Sequence, residues 1–194
     1  MSSQQARPIG RSEKQKMLAG ELYNADDPTL TAERLHTAAL LHKYNSTPDH
    51  PATHQPLLSE ILASCGEHST IRPPFFCDYG YNIRLGSGVF LNFNCVLLDV
   101  NLIEIGDRTQ IGPAVQIYTA NHPREPEARR ANLECGKPVR IGSNVWIGGG
   151  SIILPGITIG DDAIIGAGSV VTHDIPSGIT VRGNPARTKE APTE

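Results

Sequence analysis

A six-residue spacing of aliphatic residues dominates the second half of the chain. The aliphatics in phase are Ile141, Ile147, Ile153, Ile159, Ile165 and Val171, and glycine follows four of the six directly. Six is neither the period of a helix nor that of a strand. A repeat of this length is typical of a coil in which one short strand and one turn form a unit that cannot bury its apolar side alone. Three units would close a triangular coil, so the pattern predicts a mainly β fold, a parallel β-helix with these aliphatics stacked inside.

The same phase extends upstream with two interruptions. The earlier aliphatics in phase are Leu85, Leu91, Leu97, Ile105, Ile111 and Ile117. Two extra residues separate Leu97 from Ile105, which predicts a small bulge around 100–101. The repeat then vanishes over 118–140, a stretch with prolines and a charged run. We interpret 118–140 as a long excursion loop, and insertions of this kind in a compact fold are usually functional.

The N-terminal third lacks the repeat and carries helix signals instead. We expect a disordered lead over 1–11, then a helical segment and linker over 12–66, the β-helix over 67–187 and a tail over 188–194. Helices are predicted at 12–20, from Thr29 or Thr31 to Tyr44, and over 57–63, since capping residues or a terminal glycine flank these stretches. The prolines of 48–56 predict a linker.

Composition excludes several classes of function. A formal charge of −3 and an isoelectric point near 6.2 argue against nucleic acid as a partner, because phosphate binding needs a basic face. The four cysteines contain no C-x-x-C pair, which favours free thiols in a reducing cytoplasm over disulfides or a metal site. The polar N-terminus has no signal core and no stretch is long and apolar enough for a membrane span, so we expect a soluble, cytoplasmic protein.

Six short motifs together resemble the maltose and galactoside O-acetyltransferase family of hexapeptide-repeat acyltransferases, nodulation-type enzymes acting on chito-oligosaccharides included. They are Met17-Leu18-Ala19-Gly20-Glu21, Cys77-Asp78-Tyr79-Gly80, Asn92-Phe93-Asn94, His122-Pro123, Asn144-Val145-Trp146-Ile147-Gly148 and Gly183-Asn184-Pro185-Ala186-Arg187. The resemblance covers 12–187. It implies a left-handed β-helix, acetyl-CoA as co-substrate, a sugar acceptor, and a homotrimer with each site shared between subunits.

His122 is the candidate general base. It lies at the root of the excursion beside a turn-setting proline, and the family match supports the same role. Acetyl transfer from a thioester to a hydroxyl needs the hydroxyl proton removed as the oxygen attacks, and neutral imidazole suits that task. The thioester is already activated, so direct attack needs no enzyme nucleophile, and no serine lies in a G-x-S-x-G motif.

By resemblance, four further residues serve the acceptor side. Asn92 would help to hold the acceptor or the transition state. Asp78 aligns with an acceptor-contacting position, whereas Asp26 needs a one-residue shift, so Asn24 or Asp27 could replace it. The family has an aspartate just after the Asn92-Phe93-Asn94 strand. Asp99 matches the first of two adjacent positions there, and the second is Val100, which leaves one sugar contact missing or replaced.

The resemblance also assigns the acetyl-CoA groove. The backbone N–H of Gly149 would lie along it, and Ala167 and Thr172 would line it. Trp146, the single tryptophan, is either a surface aromatic or a neighbour of the pantetheine arm. Phosphates of coenzyme A need basic partners, which the last coil and tail supply: His173, Arg182, Arg187 and Lys189. The family usually has lysine where this chain has His173, so we expect a weaker and more pH-sensitive phosphate contact there.

Other readings compete with a sugar acetyltransferase. An acceptor other than a sugar fits the same β-helix, and a non-catalytic assembly module would not need His122, Asn92 and the basic tail together. A zinc enzyme on this fold needs three converging histidines. The three histidines in or near the coils are His68, His122 and His173, with no close pair among them, so no metal is expected.

Overall fold

The computed structural model of the chain describes residues 10–48 and 50–188. Short strands stack into three parallel sheets that form the faces of a prism, and the chain visits faces 1, 2 and 3 in turn within each coil. Face 1 consists of Ser64–Cys65, Ile83–Leu85, Ile103–Ile105, Val139–Ile141 and Thr158–Ile159. Face 2 consists of Thr70–Ile71, Phe90–Leu91, Gln110–Ile111, Trp146–Ile147, Ile164–Ile165 and Thr180–Arg182, with Arg187–Thr188 added antiparallel. Face 3 consists of Phe75–Cys77, Cys95–Leu98, Gln116–Tyr118, Ile152–Ile153 and Val170–Val171.

The residues in six-residue phase form three inward columns. On face 2, Leu91 pairs in register with Ile111, Ile111 with Ile147, and Ile147 with Ile165. All four are buried, and the equivalent residues of faces 1 and 3 stack in the same way. Aliphatic contact between coils therefore closes the core, and the predicted parallel β-helix of hexapeptide repeats is confirmed.

The edge between faces 2 and 3 brings successive coils very close together. We call it the glycine edge; its turns are 92–94, 112–114, 148–150 and 166–168. A Cβ added at Gly148 would lie 2.4 Å from the backbone nitrogen of Ala167 in the next coil. Gly150 has a φ of +69°, a conformation that L side chains rarely adopt. Both constraints explain why the repeat requires glycine at its corners.

The edge between faces 3 and 1 carries every long departure from the repeat. This lengthened edge consists of 78–82, 99–102 and 119–138 in three successive coils. The excursion is more ordered than a loop: it contains Ala120–Asn121, a short helix over Pro126–Arg130 and Leu133–Gly136. Its two strands pair with each other, and the second also pairs with Tyr23–Asn24. The excursion is thus folded onto the N-terminal segment.

Three helices precede the prism: α1 over Glu13–Leu18, α2 over Pro28–Ser46 and α3 over Pro51–Ile61. Ser12 caps α1 in a capping box with Gln15, and Asp27, not a threonine, caps α2. The expectation of a linker over 48–56 is wrong, because α3 begins there. Pro51 occupies its first turn, where an N–H is not needed, and the His50 side chain accepts the Ala52 N–H. The solenoid also begins before 67, at Ser64.

The N-terminal segment packs against the prism at two places. Helices α2 and α3 add Leu41, Tyr44, Leu57, Leu58 and Ile61 to the main core at its first coil. A second cluster joins Met17, Tyr23, Ala25 and Leu30 to Tyr79 and Val100 of the lengthened edge. The segment therefore closes one end of the solenoid and also reaches its lengthened edge. Within 10–48 and 50–188, no helix is long and apolar enough to cross a bilayer.

The stacked columns predict where the prism is sensitive to truncation. Ile111→Ala should lower the free energy of unfolding by about 2–5 kcal/mol, because it leaves a cavity between Leu91 and Ile147. Gln110→Ala, on the exposed side of the same strand, should change it by less than about 0.5 kcal/mol. Denaturant unfolding at one protein concentration measures both; equal losses would contradict the stacked core.

Candidate active site

A cavity of about 390 Å³, which we call the main cavity, opens at the lengthened edge. The N-terminal segment and all three departures from the repeat contribute to its wall, which consists of Ala25, Asp26, Arg34, Asp78, Tyr79, Leu98, Val100, Ala120, His122, Asn132 and Glu134. Three of the predicted site residues, His122, Asp78 and Asp26, therefore lie in one cavity. The residues come from distant parts of the sequence because each departure leaves the prism at the same corner.

His122 faces a carboxylate whose position is fixed. Its Nε2 lies 3.9 Å from Oε1 of Glu134, and its side chain is 59% exposed. The other oxygen of Glu134 accepts the Tyr23 hydroxyl at 2.7 Å. Burial and then this carboxylate raise the pKa of Tyr23, which keeps the phenol protonated as a donor. Glu134 can therefore orient His122 and stabilise the imidazolium that forms when His122 takes a proton.

Asp78 and Arg34 form another part of the cavity wall. Burial, reinforced by the charge of Glu134, raises the pKa of the Asp78 carboxyl, and the Arg34 guanidinium opposes that shift. Arg34 is itself held, since it donates to the Tyr79 hydroxyl at 2.7 Å and to the Ala25 carbonyl at 2.9 Å. Carboxylates and a fixed guanidinium around one cavity suit a ligand with several hydroxyl groups, because hydroxyls both donate and accept.

Among the three N-terminal candidates, Asp26 is the one that lines the cavity. Its Oδ2 accepts from Asn132 of the excursion at 2.6 Å. Asp27 instead caps α2 by accepting the Thr29 N–H at 3.0 Å, and the Asn24 side chain accepts the Asp26 N–H at 2.9 Å. The two neighbours are thus occupied in shaping the backbone around Asp26.

Asp99 lies beneath the cavity and is fully buried, so it is not placed to touch an acceptor. Its Oδ1 accepts the N–H groups of Asp78 and Tyr79 at 3.0 and 2.9 Å. Burial raises the pKa of Asp99 to about 7. Its neighbour Val100 packs in the second cluster and lines the cavity with apolar surface.

Asn92 lies on the glycine edge, at the far side of face 3 from His122. Its side-chain oxygen accepts the Phe93 N–H at 2.8 Å. In successive coils above it come Gly112, Gly149 and Ala167; a Cβ at Gly112 would lie 2.5 Å from the Gly149 nitrogen. Within one subunit, Asn92, Gly149 and Ala167 are therefore separated from His122 by the width of face 3.

The remaining predicted residues surround the last coils. Trp146 points outward from face 2 and is 59% exposed. Thr172 and His173 follow face 3, with 2.8 Å between the Thr172 hydroxyl and His173 Nδ1. His173 and Arg187 line one open cavity of about 360 Å³ at the end of the prism. Of the other two predicted basic residues, Arg182 is exposed at the end of the last parallel strand of face 2, and Lys189 lies outside the described residues.

Arg34, Asn132 and Glu134 line the main cavity and were not predicted, and neither was Tyr23, which holds Glu134 from outside the cavity lining. None belongs to the hexapeptide pattern, and each is separated from His122 or Asp78 by folded chain. The alternation of apolar and polar residues over Leu133–Gly136 could have predicted a strand, but not its pairing with Ala120–Asn121, which brings Glu134 to the excursion root. Among the described residues, no group of three or more His, Cys, Asp or Glu side chains is arranged to hold a metal ion.

Comparisons with known proteins find relatives over nearly the whole chain. The family described as maltose acetyltransferase hexapeptide capping motif matches residues 16–66, and the bacterial transferase hexapeptide family (six repeats) matches 138–173. Nodulation protein L of Rhizobium leguminosarum bv. viciae is 61% identical over 180 residues, which cover 92% of this chain and 95% of that protein.

Two solved structures share the whole architecture. A maltose O-acetyltransferase from Clostridium difficile 630 superposes with a TM-score of 0.91 and 46% identity, covering 95% of this chain and 99% of that one. A galactoside acetyltransferase in complex with coenzyme A gives a TM-score of 0.88 and 35% identity, covering 93% and 91%. The chain therefore belongs to the family of hexapeptide-repeat acetyltransferases that includes maltose and galactoside O-acetyltransferases and Nodulation protein L.

Proposed function

We propose that the protein transfers the acetyl group of acetyl-CoA to a hydroxyl of a saccharide, with His122 as general base. The observation that carries this proposal is the pair of His122 and Glu134 in a cavity lined by Asp26, Asp78 and Arg34. The pair supplies a base, and the other side chains suit a polyhydroxylated acceptor. The names of the similar proteins, and the coenzyme A in one of them, support the same donor and acceptor class.

The reaction follows from these groups. The acceptor oxygen attacks the thioester carbonyl carbon while its proton moves to the imidazole of His122. The C–S bond of the tetrahedral intermediate then breaks, the acetyl ester is released, and the coenzyme A thiolate takes the proton back from the imidazolium. Glu134 stabilises the imidazolium in between. The Asn92 amide, from a neighbouring subunit, would donate to the oxyanion.

This mechanism requires Asn92 of one subunit and His122 of another to meet across an interface. The side chains that each face exposes suggest which surface forms that interface. Face 1 exposes charged side chains, among them Arg84, Glu104 and Arg140. Face 3 instead presents mainly apolar side chains outward, Phe76, Val96, Ile152 and Val170, with Gln116 as the polar residue among them. Exposed apolar surface of this kind is usually covered by a partner. We propose a homotrimer in which face 3 of each copy turns to the threefold axis, so that the glycine edge of one copy meets the lengthened edge of the next.

The donor would then lie along the glycine edge. Gly149 and Ala167 leave its backbone open to a thin pantetheine arm, and Trp146 flanks it on face 2. Thr172, His173 and Arg187 would receive the nucleotide and phosphates at the end of the prism. We also propose a cytoplasmic location, since the four cysteines are free thiols of the kind that a reducing compartment maintains.

Removal of the base tests the catalytic role. His122→Ala should lower kcat for acetyl transfer to a sugar by about 10²–10⁴, because no other group takes the hydroxyl proton. The KM for acetyl-CoA should stay within about twofold, and His42→Ala, an exposed histidine of α2, should behave as wild type. A His122 variant that keeps more than about a tenth of the activity would assign the base elsewhere.

Shared sites predict complementation between two inactive variants. His122→Ala and Asn92→Ala proteins should each be nearly inactive, but trimers formed by co-expression should regain about a quarter of wild-type activity, since a random mixture leaves that fraction of interfaces with both residues intact. Light scattering establishes the trimer. Mixed oligomers as inactive as their parents would place the complete site within one subunit.

The basic end of the prism predicts a selective effect on the donor. Arg187→Ala should raise the KM for acetyl-CoA about tenfold, because a charge-assisted contact to phosphate contributes roughly 1.5–3 kcal/mol. The KM for the sugar should not move, and Arg84→Ala on face 1 serves as the matched loss of an exposed arginine. Equal effects of the two arginine variants would show a general charge effect instead of a phosphate contact.

A further inference from the structure

Asp99 uses a buried carboxylate to hold one wall of the main cavity. Oδ1 accepts the N–H of Asp78 at 3.0 Å and that of Tyr79 at 2.9 Å, and Oδ2 accepts the N–H of Asn82 at 3.3 Å. The Asn82 side chain returns a bond of 2.7 Å to the Asp99 carbonyl. Both ends of the turn 78–82 are therefore fastened to this one residue.

The backbone hydrogen-bond pattern of the prism explains why the turn 78–82 needs a side-chain acceptor. At a regular corner, the first amide of a turn donates to a carbonyl of the next coil; Gly86 N–H, for example, donates to the Ile105 carbonyl at 2.8 Å. The lengthened turn 78–82 leaves this ladder, so its buried amides need another acceptor. The Asp99 carboxylate, in the next coil, supplies that acceptor for three of them.

We infer that Asp99 is a positioning residue of the acceptor site, which sets Asp78 and Tyr79 at the cavity wall without touching the acceptor. The inference rests on the proposed function. Tyr79 in turn positions Arg34, because the Tyr79 hydroxyl accepts a hydrogen bond from the Arg34 guanidinium at 2.7 Å. Three residues of the wall thus depend on one carboxylate, whereas the residues assigned to acetyl-CoA lie on the glycine edge, on face 2 or around the last coils.

Asp107 offers a matched control. Its Oδ1 accepts the Ser87 N–H at 2.8 Å, so it also fastens a turn of the neighbouring coil, but at the edge between faces 1 and 2. Asp99→Asn and Asp107→Asn are the same chemical change at two corners. Both variants should be assayed as intact full-length protein with maltose and a methyl galactoside as acceptors, and by hydrogen exchange of backbone amides.

Asp99→Asn should raise the KM for the better acceptor about tenfold, leave the KM for acetyl-CoA within about twofold, and speed exchange of the Asp78, Tyr79 and Asn82 amides. Asp107→Asn should leave both KM values unchanged and speed exchange at Ser87. A purely structural role would lower the amount of active enzyme without separating the two KM values.

If Asp99→Asn fails to fold, a second variant tests the same inference. Asn82→Ala removes the hydrogen bond to the Asp99 carbonyl and should separate the two KM values in the same way, by a smaller factor.

Two results overturn the inference: an acceptor KM unchanged in Asp99→Asn, or amides at 78–82 that exchange as in wild type. Failure of the proposed function looks different. In that case wild type acetylates neither sugar, and amide exchange in the two variants still decides whether Asp99 holds the turn.

Discussion

The register between coils is the constraint on which the rest of this structure depends. Each inward aliphatic, such as Ile111, must lie on its equivalents in the coils above and below, Leu91 and Ile147. Extra residues can therefore leave the prism only at a corner, where they disturb no column. All three long departures use the lengthened edge, and the N-terminal segment packs onto the same edge. The main cavity lies where these pieces meet.

The sequence predicts what is local or periodic. The six-residue phase predicts the prism, and the interruption of that phase predicts the excursion. The position of His122 at the interruption predicts one residue of the main cavity. The first half of helix α3 was missed because prolines suggest a linker, although Pro51 fits a first turn. Glu134 and Arg34 reach the cavity only through strand pairing and helix packing, which no spacing encodes. Asp99 was assigned to the acceptor because a sequence motif does not show that its side chain is buried.

Electrostatics and symmetry together define the proposed site. The acceptor side collects the carboxylates of Asp26, Asp78 and Glu134 around one fixed guanidinium, and partial burial raises the pKa of Asp78. The expected donor side lies across face 3, on an edge where glycine keeps the backbone accessible. In the proposed mechanism neither half is complete alone. Association through the apolar face would supply the missing half to each subunit and cover that face at the same time.

A crystal structure of the protein with coenzyme A and a saccharide tests the central claim most directly. The account predicts coenzyme A along the glycine edge of one subunit, with its sulfur between Asn92 of that subunit and His122 of the next. The saccharide should lie against Asp78 in the cavity of that next subunit. A coenzyme A thiol remote from His122, or a donor and acceptor bound within a single subunit, would contradict it.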